Sequence, residues 1–226
     1  MILREERIGG QRLILGDCRA VMAGLGAFDA VVTDPPYGMG DLLRNGGTRD
    51  WPSQLNRTGA WDDAPAECGW IADLGIPAII WGGNFFDLPR KRGWLIWDKV
   101  VSDFTTSVAE LAWTNLPQPV KRLSLATGAA LTPSGADGSR VHPTQKPVAL
   151  MRWCLGFLPD ARSILDPFMG SGTTLVACQK MGRAGTGIER DPDYFDIACR
   201  RVDEAARQPD LLITPPPPPP VQEVLL

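Results

Sequence analysis

Ser163-Ile-Leu-Asp166-Pro-Phe-Met-Gly170-Ser-Gly172-Thr-Thr174, then a helical stretch, then Gly185-Thr-Gly-Ile188-Glu189: this passage decides the fold. Ser163–Leu165 reads as a buried strand, Thr173–Met181 as a helix and Gly185–Ile188 as a second strand. Glycines after a strand let the backbone approach a ligand closely, and the helix behind them offers free N–H groups. Glu189, about 20 residues on at the end of the next strand, is placed to accept both hydroxyls of a ribose. Leu175 stands where a dinucleotide fingerprint has its third glycine, and the Gly-Lys-Ser/Thr ending of a triphosphate loop is missing. A plain strand–turn–helix would explain the glycines alone. Asp166 points further, because a carboxylate there repels a pyrophosphate but suits the cationic amino group of a methionine moiety.

Upstream, Phe28–Thr33 is a second buried-strand run that stops at Asp34-Pro35-Pro36-Tyr37. Ligands of open α/β sheets gather at the carboxyl ends of strands. An exocyclic amine of a nucleobase is a weak nucleophile, because its lone pair is delocalised into the ring. Asp34 can accept a hydrogen bond from one of its N–H groups and the Pro35 carbonyl from the other. Pro35 and Pro36 fix the turn and keep that carbonyl out of a sheet ladder. Tyr37 offers a flat face to a base turned out of its helix. A proline-rich strand cap is the plainer explanation, but it requires neither the acid before nor the aromatic after.

Between and around these motifs strands alternate with helices. Arg12–Leu15, Ala78–Trp81, Trp94–Trp97 and Ala109–Trp113 read as strands; Ala20–Leu25, Pro147–Leu158 and Asp191–Arg207 read as helices. The pattern predicts one α/β domain over residues 1–208, with a mostly parallel sheet under helices on both faces. Residues 38–75 and 116–141 lack a period and read as long surface loops. Residues 209–226, with six prolines at 215–220, read as a Pro-rich tail.

The composition is that of a globular chain, 44% hydrophobic and 22% charged. Its formal charge of −3 leaves room for local basic strips, of which Arg90-Lys91-Arg92 and Lys121-Arg122 are candidates for DNA contact. Five scattered cysteines and one histidine cannot assemble a zinc site, so no metal is expected. The absence of a signal or spanning segment predicts no membrane association and a cytoplasmic setting with reduced thiols.

The ordered set Gly16-Asp17, Asp34-Pro-Pro-Tyr-Gly38, Trp81-Gly-Gly-Asn84, Trp94-Leu-Ile-Trp-Asp-Lys99, Ala109-Glu-Leu-Ala-Trp113, His142-Pro-Thr-Gln-Lys-Pro147 and Asp166-Pro-Phe-Met-Gly-Ser-Gly172-Thr resembles the beta group of DNA amino-methyltransferases. In that permuted group the catalytic motif precedes the cofactor motif. The resemblance implies a Rossmann-like methyltransferase fold with a seven-stranded sheet and one antiparallel strand, supplied by the Trp94 and Ala109 segments. It implies S-adenosylmethionine as cofactor, with Asp17 near the adenine and Thr144, Gln145 and Lys146 around the methionine carboxylate. Asp34, Asp166, Phe168, Gly170, Ser171, Gly172, Thr173, Glu189 and Arg190 complete the expected cofactor set. It implies double-stranded DNA as substrate and N6 of adenine as target, since Asp in front of the two prolines leans toward adenine. N4 of cytosine is the alternative, and a non-catalytic DNA-binding module with a relic pocket is the alternative from another class. A cytosine-C5 mechanism would need a Pro-Cys nucleophile, which does not occur. The loops are short for a separate recognition domain. Arg44, Asn45, Arg49, Gln54, Asn56 and Arg57 are therefore the expected base readers, and a homodimer could read a palindrome.

Overall fold

A computed structural model describes residues 1–38, 64–100, 107–126 and 145–208. In chain order its elements are β1 (Ile2–Ile8), β2 (Gln11–Gly16), α1 (Cys18–Met22), β3 (Ala30–Thr33), α2 (Gly69–Asp73), β4 (Ala78–Trp81), a 3₁₀ turn (Gly83–Phe85), β5 (Trp94–Asp98), β6 (Ala109–Thr114), β7 (Lys121–Ser124), α3 (Val148–Gly156), β8 (Ser163–Asp166), α4 (Thr173–Lys180), β9 (Ala184–Glu189) and α5 (Pro192–Arg207). The strands form one sheet in the order β1-β2-β9-β8-β3-β4-β6-β5-β7.

Every residue of β3 and of β4 is buried, as expected for strands covered on both faces. Leu13, Val32 and Ile79 point to one side, where α3, α4 and α5 contribute Leu150, Met151, Leu175 and Phe195. Their neighbours Ile14, Val31 and Ile80 point to the other, against Val21 of α1 and Ile71 of α2. Truncating one such fully buried side chain, Ile80→Ala, removes packing worth about 2–5 kcal/mol.

The expected seven-stranded sheet with one antiparallel strand is corrected to nine strands among the described residues, with three antiparallel pairings, β1–β2, β4–β6 and β5–β6. The additional strands are the two edges. β1 reads as charged surface, but Arg12 of β2 donates to Glu5 at 3.0 and 2.8 Å and ties the pair across the ladder. β7 pairs in parallel with β5, so Lys121 and Arg122 lie on an edge strand and not in a loop. Of the two segments expected to supply the opposing strand, only Ala109–Thr114 does so. Trp94–Asp98 is antiparallel to it and therefore runs with the main set. The 38–75 loop is also interrupted, since Gly69–Asp73 turns helical to bury Ile71.

β3 and β8 are parallel neighbours at the centre of the sheet. From β3 the chain crosses to β4 on one side, and from β8 to β9 on the other. Their carboxyl ends therefore flank a topological switch point, where a crevice opens for a ligand.

Candidate active site

Four adjacent parallel strands, β2, β9, β8 and β3, each deliver a carboxylate at or just past the carboxyl end: Asp17, Glu189, Asp166 and Asp34. All four line one cleft of about 760 Å³, within the range of small-molecule sites. Pro35, Pro36, Tyr37, Gln145, Lys146, Phe168, Gly170, Ser171, Thr173 and Arg190 share its wall. Gly172 does not. It caps α4 in a left-handed turn (φ 80°) and packs on Ala198, where a Cβ would lie 3.0 Å away. Thr144 and the expected base readers between 44 and 57 lie outside the described residues.

At the cofactor end, Glu189 accepts from the N–H of Gly170 at 3.0 Å and from those of Arg190 and Asp191 at 2.8 Å each. Burial outweighs these bonds and raises its pKa to about 7. Asp166 accepts from the Thr33 hydroxyl at 2.7 Å and the Phe168 N–H at 3.1 Å, and burial likewise raises it to about 6. Both acids would be drawn down by a cation or by hydroxyl donors in the cleft. Asp17 caps α1 through the Ala20 N–H at 2.9 Å. An adenosyl-methionine group fits these residues: a carboxylate pair at the strand ends for its hydroxyls and ammonium, and Phe168 and Ile188 as apolar wall.

At the other end, the Tyr37 hydroxyl donates to Asp34 Oδ1 at 2.5 Å, and Pro36 accepts from the Ala66 N–H at 3.0 Å. Lys146 Nζ, almost wholly buried, reaches both Asp34 oxygens at 2.7 and 2.6 Å, the Tyr37 oxygen at 3.0 Å and Glu110 Oε2 at 3.0 Å. Lys146 therefore pairs with the Asp34–Tyr37 turn while lining the same cleft as Asp166 and Glu189. Burial raises the pKa of Asp34, against the pull of Lys146. Burial and then Asp34 raise that of Tyr37 well above its usual value. The Tyr37 ring is stacked on Phe85 at 5.1 Å between centroids, so one of its faces is already covered.

Glu110 and Lys99 were missed as site residues although both stand in quoted motifs. Glu110 is a charge inside the apolar strand Ala109–Thr114, which was the available signal. Its pKa would rise by burial, but Lys146 and Lys99, the latter at 2.7 Å, hold it down at about 2. The basic strips fall elsewhere. Arg90-Lys91-Arg92 precede β5, on the amino-end side of the sheet, and Lys121-Arg122 lie on the β7 edge. Among the described residues, no cluster of His, Cys, Asp or Glu could hold a metal ion, and no helix is long and apolar enough to cross a membrane.

The fold is Rossmann-like, with a ligand cleft at the switch point of its sheet. A family model described as DNA methylase, N6_N4_Mtase, matches residues 77–200. The chain belongs to this family, the DNA N6-adenine/N4-cytosine methyltransferases, in its beta-group order. It is 44% identical over 79 residues to the type II methyltransferase M.ScaI of Streptomyces caespitosus, covering 33% of this chain and 26% of that protein. It is 37% identical over 89 residues to M.HinfI of Haemophilus influenzae, covering 39% and 24%. The matched stretch thus spans about a quarter of each curated relative. The M1.HpyAVI–SAM complex superposes with a TM-score of 0.53 at 22% identity, over 85% of this chain and 99% of that one. The cytosine-N4-specific PvuII DNA methyltransferase gives 0.53 at 12% identity, over 89% and 90%. At those identities the two structures share the fold.

Proposed function

We propose that this protein transfers the methyl group of S-adenosylmethionine to an exocyclic amine of a base flipped out of double-stranded DNA, and that the amine is N6 of adenine. The observation that carries the reading is the shared cleft: the Asp34–Tyr37 turn and the Asp166–Glu189 glycine turn open into one cavity. When bound, S-adenosylmethionine supplies a sulfonium methyl, whose transfer leaves the carbon–sulfur electron pair on sulfur. Glu189 accepts ribose hydroxyls, Asp166 faces the ammonium, and Phe168 packs against the adenine. Asp34 accepts one amine N–H, orients the nitrogen lone pair, and takes the proton that the nitrogen sheds. The Pro35 carbonyl, which meets no donor among the described residues, accepts the other. Arg44, Asn45, Arg49, Gln54, Asn56 and Arg57 read base edges. The adenine assignment is supported by Asp34 at the head of its motif.

The test is mass spectrometry of nucleosides from duplex DNA incubated with the protein and methyl-labelled S-adenosylmethionine. Label in N6-methyladenine is the expected result. Label in N4-methylcytosine would transfer the assignment to cytosine, and no label in DNA would overturn the reading.

A further inference from the structure

Asp34, the carboxylate on which amine activation rests in the reading above, is already occupied. The Lys146 ammonium spans both of its oxygens, and the Tyr37 hydroxyl takes a further position on Oδ1. A cation held there opposes the reaction twice. It competes with the base amine for the carboxylate, and it repels the positive charge that reaches the nitrogen with the methyl group. Glu110 offers the way out. Its Oε2 lies 3.0 Å from Lys146 Nζ on the side of β6, while its Oε1 is anchored at 2.7 Å by Lys99, whose ammonium sits over the Trp97 ring.

We propose that Glu110 is a positioning residue of methyl transfer: it draws the Lys146 ammonium off Asp34 when a base amine arrives, and Lys99 holds Glu110 in place to do so. Burial allows Lys146 no retreat into water, so the charge must pass between protein acceptors. Asp34 and Glu110 are balanced as a set by Lys146 and Lys99, so a Lys146 ammonium shared between two carboxylates leaves Asp34 only partly neutralised beside the amine. Without Glu110, Lys146 would neutralise Asp34.

The groups that set Asp34 are Lys146 from the segment before α3, Tyr37 from its own turn, Glu110 from β6 with Lys99 behind it, Asp166 from β8 and the buried Cys154 thiol of α3. Burial raises the Asp34 pKa, Lys146 lowers it and Glu110 raises it again. Removing the Glu110 charge must therefore let Asp34 stay ionised to lower pH.

Glu110→Gln tests this in single-turnover methyl transfer with saturating DNA and S-adenosylmethionine. The plateau rate should fall on the order of tenfold or more while both KM values hold, as expected when a group acts only on the reacting centre. The acid limb of the pH–rate profile should move to lower pH. Lys99→Gln, at the rim of the cluster, should move that limb the opposite way, because Glu110 then bears on Lys146 and Asp34 without its counter-charge. This second variant decides the matter should Glu110→Gln fold poorly. Wild-type rate in Glu110→Gln, limbs that stay in place, or limbs that both move the same way would overturn the proposal. The wild-type protein is the control: if it methylates no DNA, the underlying reading fails instead.

Discussion

Gly82→Ala should abolish the proposed methyl transfer without touching the Asp166–Glu189 end of the cleft. Gly82 closes β4 in a left-handed turn (φ 70°), and a Cβ there would fall 2.5 Å from Tyr37 Cδ1 and 2.6 Å from Cζ, with Cε1 nearer still. Carbon atoms rest about 3.5–4.0 Å apart, so one partner must give by roughly 1 Å. The turn cannot, because the Gly82 N–H donates to Leu111 at 2.8 Å and its carbonyl accepts from Phe85 at 2.8 Å. Tyr37 must therefore move, and its hydroxyl leaves Asp34. A misplacement of about 1 Å in a catalytic constellation costs roughly a hundredfold in rate. The left-handed alanine costs a further 1–2 kcal/mol or so of stability, equivalent to a melting temperature lower by about 2–8 °C in a domain of this size. The assay is single-turnover transfer to duplex DNA beside calorimetric titration of S-adenosylmethionine. Turnover should collapse while cofactor affinity stays within about twofold, since Gly82 is not in the cleft wall. Undiminished turnover would refute the idea that the glycine exists to seat Tyr37.

Asp34→Asn should lower the transfer rate by about 10²–10⁴-fold, the usual worth of a positioned proton acceptor, with S-adenosylmethionine binding retained; filter-bound methyl label measures it. Glu189→Ala should weaken cofactor binding by on the order of 1.5–3 kcal/mol per charged hydrogen bond lost, and unchanged affinity in calorimetry would remove Glu189 from the site. The ligand-free protein should lose stability as pH rises through about 6 and 7. Asp166 and Glu189 hold protons in the folded state well above their usual 3.8 and 4.5, so their contribution is full at low pH and fades as they ionise. Scanning calorimetry from pH 5 to 8 or so checks this, and a flat or rising melting temperature would contradict it.

The glycine-turn unit from Ser163 to Glu189 was legible because local sequence decides it: apolar runs too short for helices, glycines between them and a carboxylate at each strand end. The turn after β3 was legible for a like reason, since Asp34-Pro-Pro-Tyr37 carries its geometry in its own prolines. The edges were not. Ile2–Ile8 is half charged, and pairings with Arg12 across the ladder, with Asp196 of α5 and within the strand itself make those charges compatible with a strand. Lys121–Ser124 has no apolar alternation and becomes a strand only because β5 presents a free edge. At the site, the sequence could mark Lys146 as a functional lysine but not its direction. That depends on Glu110, 36 positions earlier in another strand, and on a pocket too dry for either charge to stand alone. Phe85 on the Tyr37 ring is a similar case, joining two strand ends by stacking that no spacing rule contains.

The pairing of β3 with β8 also governs when the protein can become active. Thr33 and Asp166 share a hydrogen bond across 133 positions of chain, and β2 finds its parallel partner only in β9. Closing loops of that length makes the central ladder a late and slow event. A nascent chain that has reached α3 already carries Asp34 and Tyr37 with Phe85, Glu110 and Lys146 around them, but it lacks the opposite wall of the cleft, from Asp166 to Glu189. Until β8 has left the ribosome β3 keeps a bare apolar edge, and until β9 has left β2 does, which makes half-synthesised chains an aggregation hazard. It also means that no intermediate shorter than β9 carries both walls of the cleft, which is completed in one step when that strand inserts.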